Sequence, residues 1–220
     1  MTNSKMQKLA ITSIFAVFIC VCACKKDGVD PYSIKGKVTD SRNGSGLSGV
    51  TIKVEMQAVQ NGVYSNTYAR ALTTSTGSDG NYEGTWERET FTSLKVLAEK
   101  TSYIPVDIEL TEQEIGSGEI NKNLTSYPEA FASLRFVHSG SNSSDYLSFN
   151  YTNTNFDCAC CKPGWKTIQG AQVDTTFKCK VYGDHWLVYE ILTRINNVDS
   201  SYTDSVYCTA FNETSVEISY

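Results

Sequence analysis

Val50-Thr51-Ile52-Lys53-Val54-Glu55-Met56 places an apolar side chain at every second position, with a hydroxyl, an ammonium and a carboxylate between them. A strand with one buried face needs that period of two, because successive side chains of an extended chain point to opposite sides. Upstream, Ile34-Lys35-Gly36-Lys37-Val38-Thr39 alternates in the same way. Downstream, Tyr68 to Thr76, Tyr82 to Trp86, Leu94 to Ala98, Val106 to Leu110 and Glu119 to Leu124 are further strand candidates. Asp40 to Gly49, dense in Asp, Ser, Asn and Gly, reads as a long turn, and Asp79-Gly80 as a tight one. Thr111-Glu112-Gln113-Glu114 has capping-box spacing, but Gly116 and Gly118 follow at once, so one helical turn is the most expected. About seven short strands separated by turn signals predict a β-sandwich over residues 33–125.

The order and spacing of Ile34-x-Gly36-x-Val38-x-Asp40, Gly49-Val50-Thr51-Ile52, Ser78-Asp79-Gly80-x-Tyr82 and Lys100 to Tyr103-Ile104 resemble the carboxypeptidase regulatory-like domain, a transthyretin-like β-sandwich. The resemblance covers Ser33 to Leu124. It implies a fold rather than a chemistry, since this domain type is a non-catalytic companion in metallocarboxypeptidases and an extracytoplasmic module in outer-membrane receptors. The family has glycine before the aromatic where this chain has Ser102, which implies a less strained backbone there. Related surface sandwiches form a Lys–Asn isopeptide bond, for which Lys35 or Lys37 and Asn121 or Asn123 are the candidates; the alternation, however, buries Ile34 and Val38 and turns both lysines outward. Asp40 and Asp79 could begin a calcium site, but a hard cation wants about six oxygens. Turn aspartates ordinarily serve the turn, and no metal is expected.

The pattern stays β through residues 130–220, a second domain that resembles no family. Leu134 to Val137, Tyr146 to Tyr151 and Val173 to Tyr182 read as strands. Gly183-Asp184 turns the chain into a strand from His185 to Ile195, Asn196-Asn197 breaks it, and Thr203 to Phe211 and Val216 to Ser219 follow. Thr125-Ser126 and Pro128 mark the boundary. The fold class expected for the whole chain is therefore all-β, with two β-sandwich domains.

The second domain also carries the cysteines: Cys158, Cys160, Cys161, Cys179 and Cys208. In an oxidising compartment they are disulfide candidates. Five cannot all pair, and the close spacing in Cys158-Ala159-Cys160-Cys161 disfavours bridges inside the cluster. Cys179 and Cys208, on separate strands, are expected to reach two members of it, with connectivity open. The rival reading is a soft-metal site of thiolates, but there are no CxxC pairs and no histidine in the cluster.

Signs of catalysis are sparse. There is no HExxH, no G-x-S-x-G elbow and no phosphate loop. With only His138 and His185 in the chain, a Ser–His or a Cys–His hydrolase is open in principle, the latter as Cys161–His138 or Cys161–His185, but no enzyme is expected. Aromatic side chains are the better lead: Trp165, Trp186, Tyr64 and Tyr68 are candidates to stack on sugar rings or anchor a protein partner.

The first residues give the address. Lys5 and Lys8 precede an uncharged run from Leu9 to Val21, which Val21-Cys22-Ala23-Cys24 closes before Lys25-Lys26-Asp27. Basic, apolar and small-residue zones in that order form a secretory signal, and the run is short of the roughly 20 residues that span a bilayer. Its end resembles the lipobox of bacterial lipoproteins. Ile19 and Val21 are bulky before Cys20 and Cys22, whereas Ala23 fits the small pocket of a signal peptidase, so Cys24 is the expected lipidation site. The expectation is thus residues 1–23 as signal peptide and residues 24–32 as tether, with no cofactor beyond a covalent lipid and attachment to the membrane through that anchor. The resemblance implies an outer-membrane lipoprotein, periplasmic or surface-exposed. Past residue 23 the chain has 17 basic against 24 acidic residues, a net charge of −7, which argues against nucleic acid as a partner. A glycan or an envelope protein is the expected partner class. Cys24→Ala is expected to abolish incorporation of radiolabelled palmitate and to leave a precursor of unreduced mass.

Overall fold

The computed structural model describes residues 30–60, 62–116, 118–152 and 161–220. Cys24 and the segment through Val29 lie outside the described residues, as do Cys158 and Cys160. Among the described residues, no helix is long and apolar enough to cross a membrane.

The first part of the chain runs through β1 (Tyr32–Asp40), β2 (Thr51–Gln60), β3 (Val63–Tyr64), β4 (Ala69–Ser75), β5 (Asn81–Trp86), β6 (Phe91–Glu99), β7 (Val106–Glu109), the single turn α1 (Glu112–Ile115), β8 (Glu119–Asn121) and β9 (Leu124–Ser126). β1 pairs antiparallel with β5 and parallel with β8 and then β9. The second sheet is antiparallel, with β2 between β6 and the pair β3 and β4, and β7 beyond β6. Val50, Ile52, Val54 and Met56 point into the space between the sheets, against Ile34, Val38, Tyr82, Trp86, Ile120 and Leu124. The alternation of the quoted stretch is therefore the inner face of this sandwich. α1 closes with the expected capping box: Thr111 Oγ1 accepts the Glu114 N–H, and the Glu114 carboxylate accepts the Thr111 N–H.

Two turn positions show where backbone geometry constrains the residue. Gly80 has φ 81°, and a Cβ there would meet the Val38 oxygen and the Gly46 Cα at 2.6 Å, so the Asp79-Gly80 turn excludes a side chain. Ser102 has φ 64°, which corrects the expectation of a relaxed backbone at this position. The left-handed conformation is kept without glycine, held by Glu129 N–H donating to the Ser102 oxygen at 2.9 Å.

The second part consists of β10 (Glu129–Ser139), β11 (Tyr146–Tyr151), β12 (Lys166–Gln169), β13 (Gln172–Tyr182), β14 (His185–Ile195), β15 (Val198–Cys208) and β16 (Glu213–Ser219). One sheet has the order β13-β10-β16, with β16 parallel to β10; the other has the order β12-β11-β14-β15 and is antiparallel throughout. Leu134, Phe136, Val181 and Ile218 of the first meet Leu147, Phe149, Leu187, Tyr189 and Ile191 of the second, with the Phe136 and Phe149 rings 4.6 Å apart. Asn196-Asn197 ends the strand after Ile195, as expected. It forms a two-residue hairpin turn with φ of 51° and 65°, the paired positive values of a type I′ turn, so β15 begins at Val198 rather than Thr203.

Cys161 is disulfide-bonded to Cys179, with Cα atoms 5.2 Å apart. Its N–H donates to the Lys180 oxygen at 3.0 Å. The bond ties the chain just before β12 to β13 of the opposite sheet, a closure worth about 3 kcal/mol in the chain-entropy account.

The two cores belong to one compact unit, residues 31–220, and only Tyr127-Pro128 separate β9 from β10. Ile104 N–H donates to the Tyr127 oxygen, Gly183 N–H to the Pro128 oxygen and Phe211 N–H to the Glu129 oxygen. The Tyr127 ring stacks on Tyr182 at 4.4 Å. Phe211 lies edge-on to Tyr103, with the Arg42 guanidinium 4.9 Å above its ring. Beneath these, the buried Asp40 accepts from Arg42 Nε and Nη2 and from the Tyr103 hydroxyl. Arg42 foremost holds the Asp40 carboxyl below its ordinary 3.8, at about 2. A carboxyl depressed in this way stabilises the fold fully above about pH 4, and the contribution is lost as the pH falls through about 2. Asp40→Asn is expected to cost about 1.5 kcal/mol at neutral pH, the low end for a charge-assisted bond because Arg42 is partly exposed. Urea unfolding at neutral pH and near pH 2 checks this, since the difference from wild type should shrink in acid.

Candidate binding surface

The buried stripe Leu187, Tyr189 and Ile191 of β14 forces its alternate residues outward, so Trp186, Val188, Glu190, Leu192 and Arg194 form the centre of an external sheet face. Register fixes their neighbours. On β15 the partners are Tyr207, Ser205, Thr203, Ser201 and Asp199. On β11, Asn150, Ser148 and Tyr146 lie beside Glu190, Leu192 and Arg194, and Thr167 and Gln169 of β12 continue the rows. Trp165 stands one residue before β12. The alternation of Thr167 and Gln169 carried back to it puts Trp165 on this face, level with Asn150, whose Oδ1 accepts the Gly164 N–H at 2.7 Å.

The face carries rings and hydrogen-bonding groups in alternation. Trp186 and Trp165 are 56% and 49% exposed, and the Trp186 and Tyr207 rings pack edge to face at 5.4 Å. Between and beyond them lie Asn150, Glu190, Thr203 and Ser205. At the far end Arg194 is neutralised by a bidentate pair with Asp199, and a shallow cleft is lined by Tyr146, Leu192, Asp199 and Ser201. From Trp186 to Arg194 the strand extends roughly 26 Å, and the four strands span about 14 Å.

Tyr64 and Tyr68 lie elsewhere, on the first sandwich. The Tyr68 hydroxyl bonds Ser93 at 2.6 Å and faces Glu109, while Lys95 sits over its ring. Tyr64 donates to Gln57 Oε1. Their surroundings already pair their own charges, Lys95 with Glu55 and Asp107 and Lys53 with Glu99. The four aromatic candidates thus separate into two sets, and the two tryptophans share one face. Tyr207 and Tyr146 share that face with them, brought there by strand register rather than by any local sequence signal.

The catalytic and metal alternatives meet structural obstacles. Cys161 has no thiolate to offer because it is in the disulfide, which corrects the cysteine-hydrolase pairing with either histidine. The His138 ring is buried against Tyr220 at 4.6 Å, with Nδ1 facing the Tyr220 oxygen and Nε2 3.3 Å from Asp145 Oδ2. Asp145 Oδ1 also accepts from Asn142 and from the Asn196 N–H, so this buried cluster fastens the β14–β15 turn. His185 Nδ1 is 2.9 Å from the Gly183 oxygen. The Asp40 carboxylate is committed to Arg42 and that of Asp79 to Asn81, and among the described residues no group of three or more His, Cys, Asp or Glu could hold a metal. Lys35 is level with Asn121 across β1 and β8, but both are exposed.

Cys208, expected to pair, is instead a free and fully buried thiol. Burial pushes it up to about 11, away from the thiolate that nucleophilic or redox chemistry needs. Iodoacetamide is expected to leave Cys208 unlabelled in the native protein and to label it in guanidinium, as read by peptide mass spectrometry.

No family model matches the chain, and no curated protein matches it. Among solved structures, it is similar to a 9R-lipoxygenase from Cyanothece at 11% identity and TM-score 0.33, over 56% of this chain and 20% of that one. It thus spans about a fifth of that enzyme's length. The shaft pilin SpaA of Lactobacillus rhamnosus GG is 8% identical at TM-score 0.31, over 86% of this chain and 98% of the pilin. A Bacteroides uniformis protein with a suggested carbohydrate-binding role is 11% identical at TM-score 0.29, over 80% and 98%. Scores this low carry no argument, and the β-sandwich assignment rests on the strand pairing itself.

Proposed function

We propose that this chain is a non-enzymatic, lipid-anchored envelope protein that binds an extended carbohydrate chain on the outer face of the β12-β11-β14-β15 sheet. The observation that carries this reading is the placement of Trp165 and Trp186, both about half exposed, on one face with Tyr207. Sugar rings present C–H faces that stack on aromatic rings, and their hydroxyls pair with carboxamide, carboxylate and hydroxyl groups of the kind Asn150, Glu190, Thr203 and Ser205 supply. A face some 26 Å long is too open to enclose a small molecule and matches a chain ligand laid across it. The carboxypeptidase regulatory-like resemblance of residues 33–125 gives the first sandwich the part of a non-catalytic spacer. The lipobox resemblance gives the protein an outer-membrane address, periplasmic or surface-exposed.

Affinity electrophoresis against a panel of envelope and plant polysaccharides tests the reading. Trp165→Ala and Trp186→Ala are each expected to weaken retention roughly tenfold or more, as for central aromatic anchors, while Tyr64→Ala leaves it unchanged. A polysaccharide retained equally by wild type and both tryptophan variants would overturn the proposal.

A further inference from the structure

β15 is an edge strand of eleven residues, paired only with β14. The direction of its free groups follows from its neighbours. Thr152 N–H donates to the Val188 oxygen, so even-numbered residues of β14 bond towards β11 and odd-numbered ones towards β15. The even residues of β15 therefore face β14, and Asp199, Ser201, Thr203, Ser205 and Tyr207 turn their N–H and C=O groups to the open side. Two of these groups are covered: the Ser205 N–H by Asp204 Oδ1 at 2.7 Å, and the Tyr207 oxygen by the Thr214 hydroxyl. The backbone of Ser201 and Thr203 meets no partner on that side among the described residues.

Of the usual edge protections, β15 keeps only the carboxylates of Asp199 and Asp204. β15 has no lysine, arginine or proline, and its register with β14 runs unbroken, without a bulge. The inner side of its first half is uncovered as well, because a three-stranded sheet faces a four-stranded one, whereas Val206 and Cys208 pack into the core. Val198 and Tyr202 are 68% and 45% exposed as a result.

We infer that β15 is a self-association edge that pairs antiparallel with β15 of a second copy of this chain. The hydrogen-bond phase admits only registers in which outward-bonding residues face one another. With Ser201 opposite Thr203 of the second copy, Tyr202 meets Tyr202 across the twofold axis and Val198 meets Val206. Asp199 then lies against Ser205 and Asp204 against Ser200, so no two carboxylates face each other. Slipping by one such step sets Tyr202 against Asp204 or Ser200 and leaves the exposed rings apart. The chosen register joins the two sheets into one, with both Trp186–Tyr207 faces on the same side.

Sedimentation velocity of the full chain in mild detergent, over a range of concentrations, tests this with two variants. Thr203→Pro removes an outward N–H that β14 does not use, and is expected to weaken the dimer roughly tenfold or more with far-UV circular dichroism unchanged. Tyr202→Cys places two sulfurs at a non-hydrogen-bonded pair, where Cα atoms lie about 4.5 Å apart. It is expected to give a covalent dimer under mild oxidation, beyond any seen in wild type, whereas Asp199→Cys does not. A chain monomeric at every concentration, a dimer indifferent to Thr203→Pro, or no gain in cross-linking from Tyr202→Cys overturns the inference.

Discussion

Burial of Leu187, Tyr189 and Ile191 between the two sheets of the second sandwich is the constraint on which the rest depends. Each buried side chain of this kind is worth about 1.5–3 kcal/mol, and a slip of one residue would expose all three while burying Trp186, Glu190 and Arg194. The register of β14 is therefore unique, and it is transmitted by hydrogen bonding to β11, β12 and β15. The external face inherits its composition from that choice. Trp186 is outside because Leu187 must be inside, and Tyr207 is beside it because the tight Asn196-Asn197 turn sets the pairing of β15.

The junction with the first sandwich uses a different physics. Its order comes from directed bonds. Asp40 orients Arg42 and Tyr103, these hold Phe211, and the backbone bonds of Ser102, Tyr127, Pro128 and Glu129 leave little freedom to a two-residue connection.

Period-two segments with a strong apolar component were legible in the amino-acid sequence: β1, β2, β6, β11 and β14 stand where alternation placed them, and the capping box of α1 is present. What escaped was structure held by neighbours rather than by its own pattern. β12 is four residues, Lys166 to Gln169, next to Pro163-Gly164, and becomes a strand only because β11 offers its edge. The first half of β15, Val198-Asp199-Ser200-Ser201, has no alternation because both of its sides face solvent. Asn196-Asn197 reads equally as a break or as a type I′ turn, and the pairing of Ile195 with Val198 decides it. Ser102 shows that a backbone demand can be met without the glycine that would signal it. For the binding face, Trp165 and Trp186 were visible as candidates, but their separation from Tyr64 and Tyr68 required the topology.

The central claim is that the tryptophans of the second sandwich, and not the one in the first, meet the ligand. The three indole N–H resonances of the chain provide a direct readout, because Trp86 is buried in the first core and serves as an internal reference. During titration with a retained soluble oligosaccharide, the Trp165 and Trp186 signals should shift saturably, more with longer chains, while Trp86 stays fixed. Binding that leaves the Trp165 and Trp186 signals in place would contradict the account.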